Sequence, residues 1–97
     1  MLESAIERSL VKKLKALDPR IKALKLNAVG QAGFQDRLLL LPRGIPVFVE
    51  LKRPGARLRA LQEHRRRELR ELGFYVLDAS TPEGVQFVVT AVGALLK

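Results

Sequence analysis

The chain contains no cysteine, which removes disulfides, zinc knuckles and thiol nucleophiles together. Aromatic residues are scarce, four phenylalanines and one tyrosine, and they form no stripe interleaved with basic residues. Base stacking on rings is therefore not the expected way of holding a nucleic acid. No apolar run reaches membrane-spanning length and no cleavable leader stands out, so the expectation is a soluble, cytoplasmic protein. No repeat, low-complexity tract or linker divides the sequence. Its 97 residues are expected to form one domain over residues 1–97, two layers around a single core. A domain of this size buries roughly 60–65% of its unfolded surface. Acids are outnumbered, 10 against 18 lysines and arginines, for a formal charge of +8. That excess suits a polyanion such as DNA, RNA or an acidic membrane surface, although plain solubility is the bland alternative. With stacking set aside, backbone phosphates are the expected target.

What is present reads as an α/β pattern. Ile6, Leu10, Leu14 and Leu17 recur at helical spacing from Ser4 to about Leu17, with Lys12, Lys13 and Lys15 largely opposite. Ser4 and Glu7 have the form of a capping box, and Asp18-Pro19 closes the helix. Ile21 to Asn27 reads as a strand, and Ala28 to Gln35, with Gly30 and Gly33, as a loop. Arg37 to Leu41 and Pro46 to Lys52 are apolar runs joined by residues 42–45, an antiparallel hairpin. Arg53-Pro54-Gly55 breaks the strand. Leu58 to Leu72 then forms a helix with Leu58, Leu61, Leu69 and Leu72 inward and Gly73 as its stop. Phe74 to Ala79 reads as a short buried strand. Thr81-Pro82-Glu83 is a helix start, a cap followed by a first-turn proline and acid. Val85, Val88, Val89, Val92, Leu95 and Leu96 continue it at helical spacing. The order is α-β-β-β-α-β-α, and the strand–helix–strand passage predicts that the last strand runs parallel to the third. The fold class is a mixed sheet with helices packed on it.

The chemistry gathers at the end of the third strand. Glu50 and Lys52 alternate with Leu51, so acid and amine point to one face while Leu51 points to the other. Charge at the end of an apolar strand is costly unless it is paired or used. Asp36 lies at the start of the partner strand, fourteen residues before Glu50, so both acids fall at one end of the hairpin. They share a face if the residue numbers of paired positions sum to an even value, as for Leu40 with Pro46 or Leu41 with Val47; an odd sum separates them. Hard oxygen ligands of this kind suit Mg2+ or Mn2+, and a lysine tip can orient water or steady developing phosphorane charge. The plainer readings are a turn aspartate for Asp36 and a cross-strand salt bridge for Glu50 and Lys52.

Two acids of the first helix are candidates for a further ligand. Glu3 falls near the centre of the stripe defined by Ile6, Leu10 and Leu14, and Glu7 at its margin, where a capping role accounts for it. His64 has no neighbour at ligand spacing and reads as a helix-surface residue. Arg57, Arg59, Arg65, Arg66, Arg67 and Arg70 load one helix with positive charge, either a solvated face or a track for phosphates. Gln62, near the start of that helix, could reach back toward Lys52.

Gly33-Phe34-Gln35-Asp36, the run Phe48 to Gly55 containing Glu50-Leu51-Lys52, then Gln62 and Gly73, resemble the VRR-NUC (virus-type replication-repair nuclease) domain of the PD-(D/E)XK nuclease superfamily. Glu3 to Ile6 is similar to its first-helix motif, so the likeness covers nearly the whole chain. One departure is Gln35, where the family usually has a proline that shapes the turn before the aspartate. The resemblance implies a restriction-endonuclease-like sheet flanked by helices. It implies a divalent metal held by Asp36, Glu50 and the backbone carbonyl of Leu51, joined by Glu3. Lys52 would position or activate the attacking water and Gln62 would support the site, leaving 5′-phosphate and 3′-hydroxyl ends. Arg57, Arg59, Arg65 and Arg66 are the expected nucleic-acid contacts.

Stand-alone domains of this kind resemble phage and bacterial proteins acting as homodimers on branched DNA, including four-way (Holliday) junctions. The helix from Val85 to Leu96 could serve such an interface, though core packing is its commoner use. The leading expectation is thus a metal-dependent, structure-selective DNA endonuclease. The alternatives are a non-catalytic DNA-binding module on the same fold and an RNA-directed or antitoxin-like regulator, for which no specific motif is present.

Overall fold

A computed structural model describes residues 3–26, 35–51 and 60–97. The elements are α1 (Glu3–Leu17), β1 (Lys22–Leu26), β2 (Gln35–Leu41), β3 (Ile45–Leu51), α2 (Ala60–Glu71), β4 (Tyr75–Ala79) and α3 (Pro82–Leu95). They follow the expected α-β-β-β-α-β-α order. The expected loop between β1 and β2 lies mostly in residues 27–34, and the break after β3 lies in residues 52–59, both outside the described residues.

The strands form one sheet in the order β1-β2-β3-β4. β1–β2 and β2–β3 are antiparallel, and β4 lies parallel to β3 across the α2 crossover, giving a mixed sheet. β3 is internal and flanked on both sides, which suits its nearly unbroken apolar sequence. Ile6, Leu10 and Leu14 of α1 and Val85, Val88 and Val92 of α3 are fully buried against Leu39, Leu41, Val47, Val49 and Leu51. These β3 positions alternate with Phe48 and Glu50, so α1 and α3 cover one face of the sheet. α2 covers the other, because its Arg66 reaches Glu50 and Asp78.

Contacts at the helix ends fix their directions. Arg37 of β2 donates from Nη2 to Glu7 Oε1 at 2.8 Å, which places the N-terminal half of α1 near the start of β2. Leu17, at the far end of α1, lies 3.9 Å from where a Cβ on Gly93 would stand. Arg43, in the β2–β3 turn, donates from Nη2 to the Leu95 carbonyl at 2.9 Å and to the Lys97 carbonyl at 3.0 Å. The C-terminal ends of α1 and α3 therefore sit toward the hairpin turn. Their N-terminal ends sit toward the opposite edge, where β2 starts and β3 ends.

Local chemistry explains the boundaries. Thr81 caps α3, its Oγ accepting from the Gly84 amide at 3.0 Å, and Pro82 opens the first turn, where a missing N–H costs nothing. Gly73, at φ +95°, ends α2 in the left-handed region. The Phe74 amide then donates to the Leu69 carbonyl at 3.0 Å and the Gly73 amide to the Arg70 carbonyl at 3.0 Å, the paired bonds of a Schellman stop.

Several expectations are corrected. Leu72 is 74% exposed rather than inward, because it lies past the end of α2, where the helical wheel no longer applies. β4 is buried only in part: Val76 and Ala79 are buried as expected, but its first residue, Tyr75, is 49% exposed at the edge of the sheet. The hairpin loop is Pro42 to Gly44, since Ile45 already pairs with Leu41. Glu7, expected in a capping box with Ser4, is engaged by Arg37, and the Ser4 side chain lies outside the described residues. Among the described residues no helix is long and apolar enough to cross a membrane.

Candidate functional site

The register decides whether the two strand acids meet. In the β2–β3 pair Leu40 faces Pro46 and Asp36 faces Glu50, an even sum. Directly opposed positions in an antiparallel pair share a face, with Cβ atoms about 5 Å apart. The same row extends on both sides, for Leu26 is the partner of Asp36 and Asp78 of β4 is the partner of Glu50. Three acidic positions, Asp36, Glu50 and Asp78, thus stand side by side across adjacent strands near one end of the sheet.

Glu50 is the most demanding of them. It is 5% exposed, the one buried charged residue among the described residues. Burying a carboxylate costs several kcal/mol unless opposite charge or strong donors approach it. Arg66 of α2 supplies charge, its Nε lying 3.7 Å from Glu50 Oε2. The same guanidinium lies 3.6 Å from Asp78 Oδ2 through Nη1. Beside them Phe48 packs edge to face on Phe74, ring centroids 5.7 Å apart and planes at 84°. Arg70, one helical turn beyond Arg66, donates to the Val76 carbonyl at 2.8 Å and holds α2 to β4.

The other expected site residues divide as follows. Leu51 ends β3, buried toward the core, so its side chain is packing and only its backbone carbonyl is relevant to a site. Glu7 is paired with Arg37, whose Nη1 also donates to the Ala23 carbonyl at 2.9 Å; it stands on the α1 face and away from Glu50. Glu3 opens α1 one turn earlier, at the helix end nearest the acidic row. The side chains of Glu3, Asp36 and Gln62 lie outside the described set, although their backbones belong to α1, β2 and α2. Lys52, Arg57 and Arg59 lie wholly outside it.

On α2, His64 is exposed with Nε2 3.2 Å from Glu68 Oε1 one turn on, a surface pair as expected. Arg65 is half-buried. Arg66 is turned onto the sheet rather than into solvent, its side chain 19% exposed. Along the same side of α2, Glu63, Arg66, Arg67 and Arg70 line a shallow hollow.

Asp78 is the residue that the sequence reading missed. It is a single acid in the apolar run Phe74 to Ala79, and that isolation was the available signal. Its significance depends on the β3–β4 register, which the sequence does not fix.

Chemically, Asp36 and Glu50 offer hard anionic oxygen donors at opposed positions, a donor type that fits Mg2+ or Mn2+ and not a soft metal. Among the described residues no group of three or more acids, histidines or cysteines is gathered at metal-binding distance. No family model matches the chain, and no curated protein matches it in sequence.

Proposed function

We propose that this chain is a divalent-metal-dependent, structure-selective DNA endonuclease of the VRR-NUC kind, acting inside the cell as a homodimer on branched DNA such as four-way junctions. The observation that carries the reading is the direct pairing of Asp36 with Glu50 at one end of the sheet. In the sequence Lys52 stands two residues after Glu50, completing the acid, acid and lysine set. The formal charge of +8 favours a polyanionic substrate.

In this reading Asp36, Glu50 and the Leu51 carbonyl, with Glu3 from α1, would hold Mg2+ or Mn2+. When bound, such an ion supplies Lewis-acid polarisation of the scissile phosphate. Lys52 would orient the attacking water and set its positive charge against the negative charge that develops on phosphorus oxygens. Gln62 would support Lys52 from the first turn of α2. Water forms the new P–O bond as the bond to the 3′-oxygen breaks, leaving 5′-phosphate and 3′-hydroxyl ends. Arg57, Arg59 and Arg65 would follow the backbone phosphates, a salt-sensitive mode of binding. Two copies would provide two centres for paired incisions.

A non-catalytic DNA-binding module is the second reading. What favours it is the Arg66 guanidinium close to Glu50, an internal cation where a nuclease needs an external one.

Cleavage of labelled duplex, flap and four-way junction DNA with Mg2+ or Mn2+ tests both, with Asp36→Asn as control. Metal-dependent paired cuts across the junction, abolished by the substitution, are the expected result. Binding without cutting, equal in wild type and variant, would leave the module reading.

A further inference from the structure

Half of the chain's net charge of +8 resides in residues 3–26, where seven lysines and arginines stand against three acids. The other half comes from Lys52, Arg53, Arg57 and Arg59, and the rest of the chain sums to zero. α2, for all its arginines, sets four of them against three glutamates. α3 carries one acid and no base. Among the described residues the positive surplus therefore belongs to α1, β1 and the turn between them.

The core fixes which of these cations face outward. Ile6, Leu10 and Leu14 are 0% exposed, which sets the rotation of α1 about its axis. At about 100° per residue, Arg8, Lys12 and Lys15 fall within about 60° of one another on the opposite side. All three are exposed. The Lys15 ammonium donates to the Ile21 carbonyl just before β1, so the line runs along the flank of α1 nearest that strand. Lys25 of β1 extends it. It is exposed and is the partner of Arg37, and Arg37 reaches Glu7, the residue before Arg8. Opposed positions share a face, so Lys25 stands on the α1 side of the sheet. No described acid lies at ion-pair distance from these four, because Glu7 is held by Arg37 and Asp18 by Arg20.

The spacing suits a phosphate chain. Arg8 to Lys15 covers about 10 Å of helix axis. One strand of a duplex advances about 3.4 Å per phosphate, so about three phosphates meet three cations over that length. A lipid surface fits less well. A helix lying on a membrane needs an apolar side free to enter it. That side of α1 is committed to the core, and of its large apolar residues only Leu17, at the last position, is exposed.

We propose that the outer flank of α1 and β1, formed by Arg8, Lys12, Lys15 and Lys25, is a binding surface for the phosphate backbone of duplex DNA. The sheet stands between this flank and the row of Asp36, Glu50 and Asp78. What the flank holds is therefore a separate stretch from the one presented to those acids: a second arm of a branched molecule. The inference rests on the DNA-binding part of the proposed function and not on its metal chemistry.

The measurement is fluorescence anisotropy of labelled duplex and four-way junction DNA, without divalent metal, over a series of salt concentrations. Arg8→Gln, Lys12→Gln and Lys25→Gln are combined, leaving Lys15 its bond to Ile21. The three side chains are exposed, and circular dichroism checks the fold. The slope of log K against log salt should fall by about 2.7, at about 0.9 per phosphate. Affinity at about 0.1 M salt should fall by roughly a hundredfold or more. Arg8→Lys, Lys12→Arg and Lys25→Arg combined keep the charge and should keep the binding. Lys13→Gln, Lys22→Gln and Lys97→Gln combined remove equal charge elsewhere and should change the slope by less than about one.

Equal losses in the two neutralised triple variants would show that net charge alone binds DNA, and would overturn the inference. Loss of binding to phosphatidylserine vesicles with DNA binding intact would assign the flank to a membrane and overturn it too. In the wild type the junction should bind more tightly than the duplex, and neutralising the flank should remove that margin. A margin kept intact overturns the assignment to a second arm. A wild type that binds through the flank and cuts nothing with Mg2+ removes the nuclease reading alone. A neutralised flank that binds and cuts as the wild type does removes this inference alone.

Discussion

The ion pair between Glu7 and Arg37 ties the first helix to the sheet, and its strength can be worked out in advance. The contact is 2.8 Å from Nη2 to Oε1, and the side chains are 16% and 17% exposed. Arg37 also bonds the Ala23 carbonyl, so one guanidinium joins α1, β1 and β2. An exposed pair is worth about 0–1 kcal/mol and breaking a fully buried one costs about 3–5 kcal/mol. At this burial Arg37→Met should cost about 2–3 kcal/mol, since it leaves Glu7 uncompensated and the Ala23 carbonyl without its donor. Glu7→Gln keeps the shape and an acceptor oxygen, and should cost about 1 kcal/mol. Urea unfolding of the two single variants and the double variant gives the coupling energy directly. About 1.5 kcal/mol of coupling is expected, and Arg37→Met should lower the melting temperature by roughly 10–15 °C for a domain of this size. Coupling below about 0.3 kcal/mol would mean that solvent screens the pair as it does a surface one, and the argument that it anchors α1 would fail.

Four other outcomes are expected. Lys52→Ala should abolish cleavage while junction binding, followed by gel shift, survives; loss of both with the fold intact would make Lys52 a DNA contact. Leu10→Ala empties a fully buried position facing the sheet and should cost about 3 kcal/mol in urea unfolding. Gly73→Ala forces a Cβ into φ +95° at the end of α2 and should cost about 1 kcal/mol, although among the described residues none beyond its chain neighbours comes within 4 Å of the added carbon; an unchanged midpoint would show that α2 ends without the left-handed residue. Asp18 should titrate below its ordinary value of 3.8, because the Arg20 side chain and then the Arg20 amide bond its carboxylate. Carbon-detected NMR should show Arg20→Ala moving that titration upward. The sign follows from the lowered value: the contribution is present above pH 3.8 and lost as pH falls through the folded-state value.

Periodicity made the elements legible. Spacing in α1 and α3, the Thr81-Pro82 start and the Gly73 stop each have one strong local cause, and each stands where expected. The strand register was not legible, for a physical reason. Leu38 to Leu41 is four leucines in a row, so either face could be the buried one and the pattern cannot choose. What chooses is the Pro42 to Gly44 turn, where Arg43 and Gly44 both take φ near +70° and Arg43 is held by carbonyls at the end of α3. That contact joins residues 52 positions apart, which no local reading supplies. Arg66 was obscured by its neighbours, since three consecutive arginines look like one solvated face. Its spacing from Gln62 and Leu69 places it on the inward side of α2. Asp78 showed only as a lone acid in an apolar run, and its place beside Glu50 required the β3–β4 register.

α1 and α3 run the same way, with both N-termini at the end of the sheet that carries Asp36, Glu50 and Asp78. Each helix gathers roughly half a positive charge at its N-terminus from aligned peptide dipoles. Two like poles are therefore set at one end of the domain, an arrangement that opposite-running helices would avoid. Glu83, in the first turn of α3, reduces that strain. Glu83→Gln should consequently loosen the start of α3. The two helix poles and the three acidic positions thus share one end of the domain but stand on opposite faces, with the thickness of the sheet between them.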